Sequence, residues 1–115
     1  MIENIRELQP ELEITDEEVK CITIAGLCHD LGHGPFSHAF DSGFMKAVDP
    51  HCTWSHEKGS VMMFRDMIEQ NSPEINEHEA GFIVDLIMGE PSKKWQANPL
   101  LDILFYPCQL LKIIY

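Results

Sequence analysis

Residues 29–38 read His-Asp-Leu-Gly-His-Gly-Pro-Phe-Ser-His, which places three of the chain's six histidines, one followed directly by an aspartate, within ten residues. Imidazoles and a carboxylate crowded together perturb one another's protonation, so such a cluster persists only where partners hold it. Neutral imidazole and carboxylate are the usual ligands of zinc, iron or manganese, and further histidines donate protons or bind phosphate oxygens. The mixture points to divalent-metal chemistry on a phosphate ester. Consecutive helical residues differ by 100°, so His29 and Asp30 do not share a face, yet they can converge on an ion between their two directions. His33 follows one turn later and faces the same cavity, with Gly32 and Gly34 leaving room for substrate or backbone. His38 and Asp41 stand three apart, neighbours on a helical turn, so that Asp41 can orient His38 through a hydrogen bond. On this reading His29 and Asp30 hold the metal, while His33 and His38 contact phosphate oxygens or protonate a leaving group.

The flanking pattern supplies the elements that position these groups. Residues 1–14 are polar and interrupted by Pro10, and read as an approach segment or a frayed helix end. Thr15-Asp16-Glu17-Glu18 is a helix start, with Thr15 as cap, Glu18 at the capping-box position and the acids complementing the helix dipole. The helix that follows, with Val19, Ile22, Ile24, Ala25 and Leu27, is apolar over most of its circumference and is predicted to be central. Gly32, Gly34 and Pro35 end it near Leu31, which puts His29 and Asp30 in its last turn. A short helical turn over Ser37–Phe40 and a polar loop with Gly43, Asp49 and Pro50 come next. A helix from Thr53 or Ser55 carries Val61, Phe64 and Ile68 on one stripe, and Met62-Met63-Phe64 reads as core. Ser72-Pro73-Glu74 signals another start, and Phe82, Ile83, Leu86 and Ile87 continue that helix to Gly89, a C-terminal stop. Residues 90–98 read as a loop, and residues 99–115 as an apolar stretch broken by Pro107. No alternating strand pattern occurs, so the predicted fold class is all-α, a partial helical bundle with no sheet.

Composition bounds the rest. The 115 residues are 44% hydrophobic, one domain at most, and enough for a core that buries roughly two thirds of the unfolded surface. A formal net charge of −11 argues against nucleic-acid backbone binding by this segment and makes metal ions the natural source of positive charge beside an anionic nucleotide. Cys21 and Cys28 on one helix lie about 10 Å apart along its axis, too far for a disulfide. Buried reduced thiols and an intracellular setting are expected, with no secretory signal and no membrane span. Local spacing assigns no task to His51, His56 or His78, and Trp54 and Trp95 read as packing residues.

The run Ile24-Ala25-Gly26-Leu27-Cys28-His29-Asp30-Leu31-Gly32-His33-Gly34-Pro35-Phe36-Ser37-His38, reinforced by Trp54-Ser55-His56-Glu57-Lys58-Gly59-Ser60-Val61-Met62-Met63-Phe64, resembles the HD-domain phosphohydrolases. More narrowly, it is similar to the animal SAM-and-HD-domain deoxynucleoside triphosphate triphosphohydrolases. The resemblance is strong over residues 11–70, weaker over 71–104, and lost from about 105 to 115. It implies cleavage of a dNTP, by attack at the α-phosphorus, to deoxynucleoside and triphosphate, an activity that controls dNTP pools. It implies that His29 and Asp30 are metal ligands, that His33 and His38 contact substrate phosphates, and that His56, with His38 and Asp41, serves catalysis. The resemblance further implies a divalent metal, nucleotide activators bound outside this segment, a homotetramer most of whose contacts also lie outside it, and a nuclear setting. Two ligands leave the metal open among zinc, iron, manganese and magnesium.

The family's upstream histidine and downstream aspartate ligands have no counterpart: no histidine precedes His29, and Asp102 is the one acid after Glu90. We therefore expect residues 1–115 to form a single incomplete HD domain with little or no activity alone. Two alternatives stand beside this reading. One is a non-catalytic truncated module that binds full-length subunits through the apolar stretch containing Leu100, Leu104, Leu110 and Ile113. The other is an HD phosphohydrolase acting on a different phosphate ester.

Overall fold

A computed structural model describes residues 2–71, 74–90 and 92. Among these the chain is helical with no strand, in agreement with the all-α expectation. It divides into two compact units: Met1–Gly26 together with the segment that begins at Asn76, and Leu27–Ile75.

The first unit opens with α1 (Ile2–Leu8) and a 3-10 turn over Pro10–Leu12. The approach segment or frayed helix end expected there is helical over most of its length, and Ile2 and Ile14 at its ends are buried. Helix α2 (Asp16–Cys28) begins as its sequence dictates. The Thr15 hydroxyl accepts from the Glu18 N–H at 3.2 Å, and the Glu18 carboxylate accepts from the Thr15 N–H at 2.8 Å, which satisfies two donors that a helix start leaves bare. The buried positions of α2 are Cys21, Ala25 and Cys28, one stripe at four- and three-residue spacing. Leu27 lies off that stripe and is exposed, so α2 is amphipathic by position although apolar by composition.

Helix α5 (Glu77–Met88) also belongs to the first unit. Its start is set by Asn76, whose side chain accepts from the Glu79 N–H while Glu79 accepts from the Asn76 N–H, both at 2.9 Å. The expected start at Ser72-Pro73-Glu74, with proline at the first helical position, is thus four residues early, and Ser72 and Pro73 lie outside the described residues. Gly89 ends the helix at φ 69°, a left-handed turn that glycine adopts without a Cβ penalty. Phe82, Ile83, Leu86 and Ile87, which continue the helix as expected, are all buried, each contributing roughly 1.5–3 kcal/mol of transfer free energy. Lys20 of α2 reaches the largely buried Glu79 of α5 at 2.8 Å.

The second unit holds a turn after α2, a π-helical turn (Ala39–Phe44), α3 (Met45–Val48) and α4 (His56–Asn71). The π turn is longer than the Ser37–Phe40 turn expected from sequence and absorbs Gly43. Phe64 is fully buried on α4, with Gly59 and Ser60 one turn earlier. Met62 and Met63 are exposed, contrary to the core reading, because 100° steps carry them off the Ser60–Phe64 stripe. Cys21, Cys28 and Cys52 are free thiols. The expected loop beyond Glu90 and the apolar stretch, with Trp95, Asp102 and Cys108, lie outside the described residues apart from Ser92.

A histidine and aspartate cluster as candidate active site

All the candidate residues fall in the Leu27–Ile75 unit. Helix α2 stops at Cys28, so His29 and Asp30 stand just beyond its last turn rather than within it. Two overlapping four-residue turns carry the chain on, from the Leu31 N–H to the Cys28 carbonyl and from the His33 N–H to the Asp30 carbonyl, both at 3.2 Å. A turn this short needs an anchor, and Ser60 provides it. The fully buried Ser60 hydroxyl donates to the His29 carbonyl at 2.7 Å and accepts from the Gly32 N–H at 2.9 Å. A Cβ on Gly32 would collide with the His56 carbonyl oxygen and the Ser60 nitrogen, so only glycine lets the turn lie this close to the start of α4. Sequence reasoning missed Ser60. The signal was present in the small pair Gly59-Ser60 inside a helix, where bulkier side chains are the rule.

Phe36 and Ser37 take left-handed backbone conformations, φ 64° and 50°, and swing the chain from His33 to His38. In the π turn the Met45 N–H bonds to the Phe40 carbonyl five residues back, which inserts an extra residue relative to an α-helix. Asp41 lies in this turn, and its carboxylate is directed at α4. Its Oδ2 accepts from His56 Nδ1 at 2.8 Å and stands 4.0 Å from His33 Nδ1. The hydrogen bond expected from Asp41 to His38 goes to His56 instead, because an i,i+3 neighbour rule holds only on a regular α-helix.

The cluster is continuous. His29 Nε2 lies 3.1 Å from one Asp30 oxygen, and His33 Nε2 lies 3.3 Å from the other. The His33 and His56 rings stack, 3.9 Å between centroids and 11° between planes. His38 stands edge-on to both, at 5.1 and 5.3 Å. His33, Asp41 and His56 are largely buried, whereas Asp30 and His38 are open to solvent. An ionised carboxylate only accepts, so His56 carries a proton on Nδ1, and its Nε2 lies 3.4 Å from Glu57 Oε1. His33 Nδ1 and Asp41 Oδ1 are buried with no hydrogen-bond partner among the described residues, each an unmet polar group at the centre of the cluster. His51 and His78 take no part.

Metal-ligand geometry is met in part. Two donors about 2.0–2.1 Å from a tetrahedral ion are roughly 3.3 Å apart, which the His29–Asp30 separation of 3.1 Å matches. Among the described residues, two groups of three offer donor atoms all within 4.8 Å of one another: Asp30, His33 and His56, and His38, Asp41 and His56. His29 adjoins the first group through Asp30. Asp30, Asp41 and Glu57 border a region that can admit a polyanion only with cationic charge beside it.

Residues 1–102 match the HD domain family. The chain is 44% identical over 99 residues to the deoxynucleoside triphosphate triphosphohydrolase SAMHD1 of Bos taurus, covering 79% of this chain and 17% of that protein. Against the protein of the same name from Homo sapiens it is 45% identical over 97 residues, 77% of this chain and 16% of that one. Against the deoxynucleoside triphosphate triphosphohydrolase SAMHD1 homolog of Dictyostelium discoideum it is 43% identical over 97 residues, 84% and 19% of the two chains. The chain thus spans less than a fifth of the length of these relatives. No helix among the described residues is long and apolar enough to cross a membrane.

Proposed function

The chain belongs to the HD domain family, and from that premise we propose that its histidine and aspartate cluster serves metal-assisted hydrolysis of a deoxynucleoside triphosphate, giving deoxynucleoside and inorganic triphosphate. The observation that carries the reading is the unbroken run of contacts from His29 and Asp30 through His33 to the Asp41–His56 pair. His29 and Asp30 would hold a divalent ion, which supplies Lewis-acid polarisation of phosphate and water when bound. His33, clamped between Asp30 and the face of His56, and the open His38 present imidazole nitrogens to phosphate oxygens. Asp41 fixes the tautomer and plane of His56, so that Nε2 is the atom that exchanges a proton, given to the O5′ of the departing deoxynucleoside as the bond to the α-phosphorus breaks. The names of the relatives support a deoxynucleoside triphosphate as the substrate. In this reading both units are parts of one HD domain, and an intracellular, nuclear setting, nucleotide activation and tetramer formation come with the family.

Two protein ligands do not close a catalytic metal site, which uses three or more, so the 115-residue chain by itself should release little or no triphosphate from dGTP. It should nonetheless bind Mn²⁺ at least tenfold more tightly with dGTP present, read by electron paramagnetic resonance, and Asp30→Ala should erase that gain. Indifference of Mn²⁺ binding to dGTP would overturn the assignment of the cluster to nucleotide hydrolysis. Robust metal-dependent turnover would overturn only the inactivity of the chain alone.

A further inference from the structure

We propose that His38, Asp41 and His56 form a zinc-binding site of their own, separate from the His29–Asp30 pair, and that zinc there competes with the phosphate contacts of the cluster. The competition rests on the function proposed above; the site itself does not. Three observations carry it. The donor atoms of the three residues already lie within 4.8 Å of one another, and three protein ligands with one open position is the arrangement of an accessible zinc site. Two imidazoles and one carboxylate suit zinc far better than magnesium, which prefers an all-oxygen shell. Asp41 Oδ1 is buried and unpartnered although Oδ2 is engaged by His56, and a buried carboxylate oxygen left bare costs stability that a bound cation restores.

The surroundings of His56 are those of a zinc ligand. Ligation through Nδ1 requires its proton to move to Nε2, and Glu57 Oε1 stands 3.4 Å from that atom, ready to accept it. A carboxylate on the far nitrogen of a ligating histidine fixes ring orientation and raises ligand basicity. The His33 ring, stacked flat on His56, blocks rotation of the imidazole away from the site. His38 is exposed and gives the ion its way in. His38 is also one of the groups assigned to phosphate, and His56 to proton transfer, so zinc bound here removes both from substrate. The group Asp30, His33 and His56 has only His56 in common with it, so substitutions at Asp30 and at His38 or Asp41 tell the two apart.

Calorimetric zinc titration of the 115-residue chain, with folding of each variant checked by circular dichroism, tests this. Zinc affinity should fall at least tenfold in His38→Ala and in Asp41→Asn and hold within twofold in Asp30→Ala. Cobalt in place of zinc should give the intense visible absorption of a four-coordinate ion in the wild-type and Asp30→Ala chains and lose it in His38→Ala. Unchanged affinity in His38→Ala, or loss of all binding in Asp30→Ala, overturns the site. Zinc bound with the expected pattern but without effect on Mn²⁺-dependent dGTP binding overturns the competition. Failure of the proposed function reads differently, as indifference of Mn²⁺ to dGTP beside an intact zinc pattern.

Discussion

Replacing Ser60 with alanine tests whether one buried hydroxyl holds the His29–Asp30 turn against α4. The substitution removes the bond to the His29 carbonyl at 2.7 Å and the bond from the Gly32 N–H at 2.9 Å, at a residue with no exposed surface. Gly32 is buried, so its N–H would lose its partner without gaining water, a cost of about 1–3 kcal/mol. The His29 carbonyl is part-buried and loses about 0.5–1.5 kcal/mol, the net worth of an ordinary hydrogen bond. Alanine returns about 0.5 kcal/mol as the better helix former. The balance is a loss of roughly 1–4 kcal/mol, or about 4–16 °C in melting temperature for a chain of this size. Urea unfolding followed by circular dichroism measures it, with Ser55→Ala as the comparison. Ser55 stands before the first residue of α4, and among the described residues its hydroxyl meets only the Lys58 N–H, at 3.4 Å; its loss should cost at most about 1 kcal/mol. If Ser60→Ala costs no more than Ser55→Ala, the anchoring role is wrong.

Gly32→Ala should unfold the Leu27–Ile75 unit or expose the first turn of α4, since the new Cβ meets backbone that no rotamer change can move; native-like amide exchange at Gly59 and Ser60 would contradict the close approach. Burial first, and then the charges of Glu79 and Glu17, push the Cys21 thiol up to about 11, and burial raises Cys28 as well. At pH 8 iodoacetamide should therefore label the half-exposed Cys52 well before Cys21 or Cys28, as peptide mass mapping would reveal, and equal labelling would refute the packing of α2. The Glu79 carboxyl is held below its ordinary 4.5 by the Lys20 ammonium and then by the Asn76 N–H, with a smaller electrostatic contribution from His78. A depressed carboxylate contributes stability that is present above its unfolded value and is lost as pH falls through its folded one. Urea midpoints should thus drop below pH 4.5, and Glu79→Gln should flatten that limb; an unchanged acid limb would refute the linkage.

Much of this architecture was legible in local pattern. The Thr15–Glu18 capping box, the Gly89 stop and the helical run of Phe82, Ile83, Leu86 and Ile87 follow from short-range rules, since each depends on residues within a turn of one another. Two departures show what local pattern leaves out. Apolar composition does not make Leu27, Met62 or Met63 buried, because helical phase decides which side faces inward. An α-helical spacing rule does not hold in a segment that folds as a π turn, so Asp41 bonds to His56 rather than to His38.

The sequence by itself determined the ingredients of the site: an imidazole–carboxylate pair, glycines where backbone must pass close, and two further histidines a few residues on. Those are local properties, and the family resemblance rests on the same residues. Only the tertiary structure decided how they combine. His56 is fifteen residues from Asp41 and Ser60 is thirty-one from His29, and no periodicity links positions so far apart. They meet because the Gly32 turn has no Cβ to hold α4 away, so a buried hydroxyl can bond it and a carboxylate can accept a hydrogen bond from a histidine that sequence spacing alone left without a task.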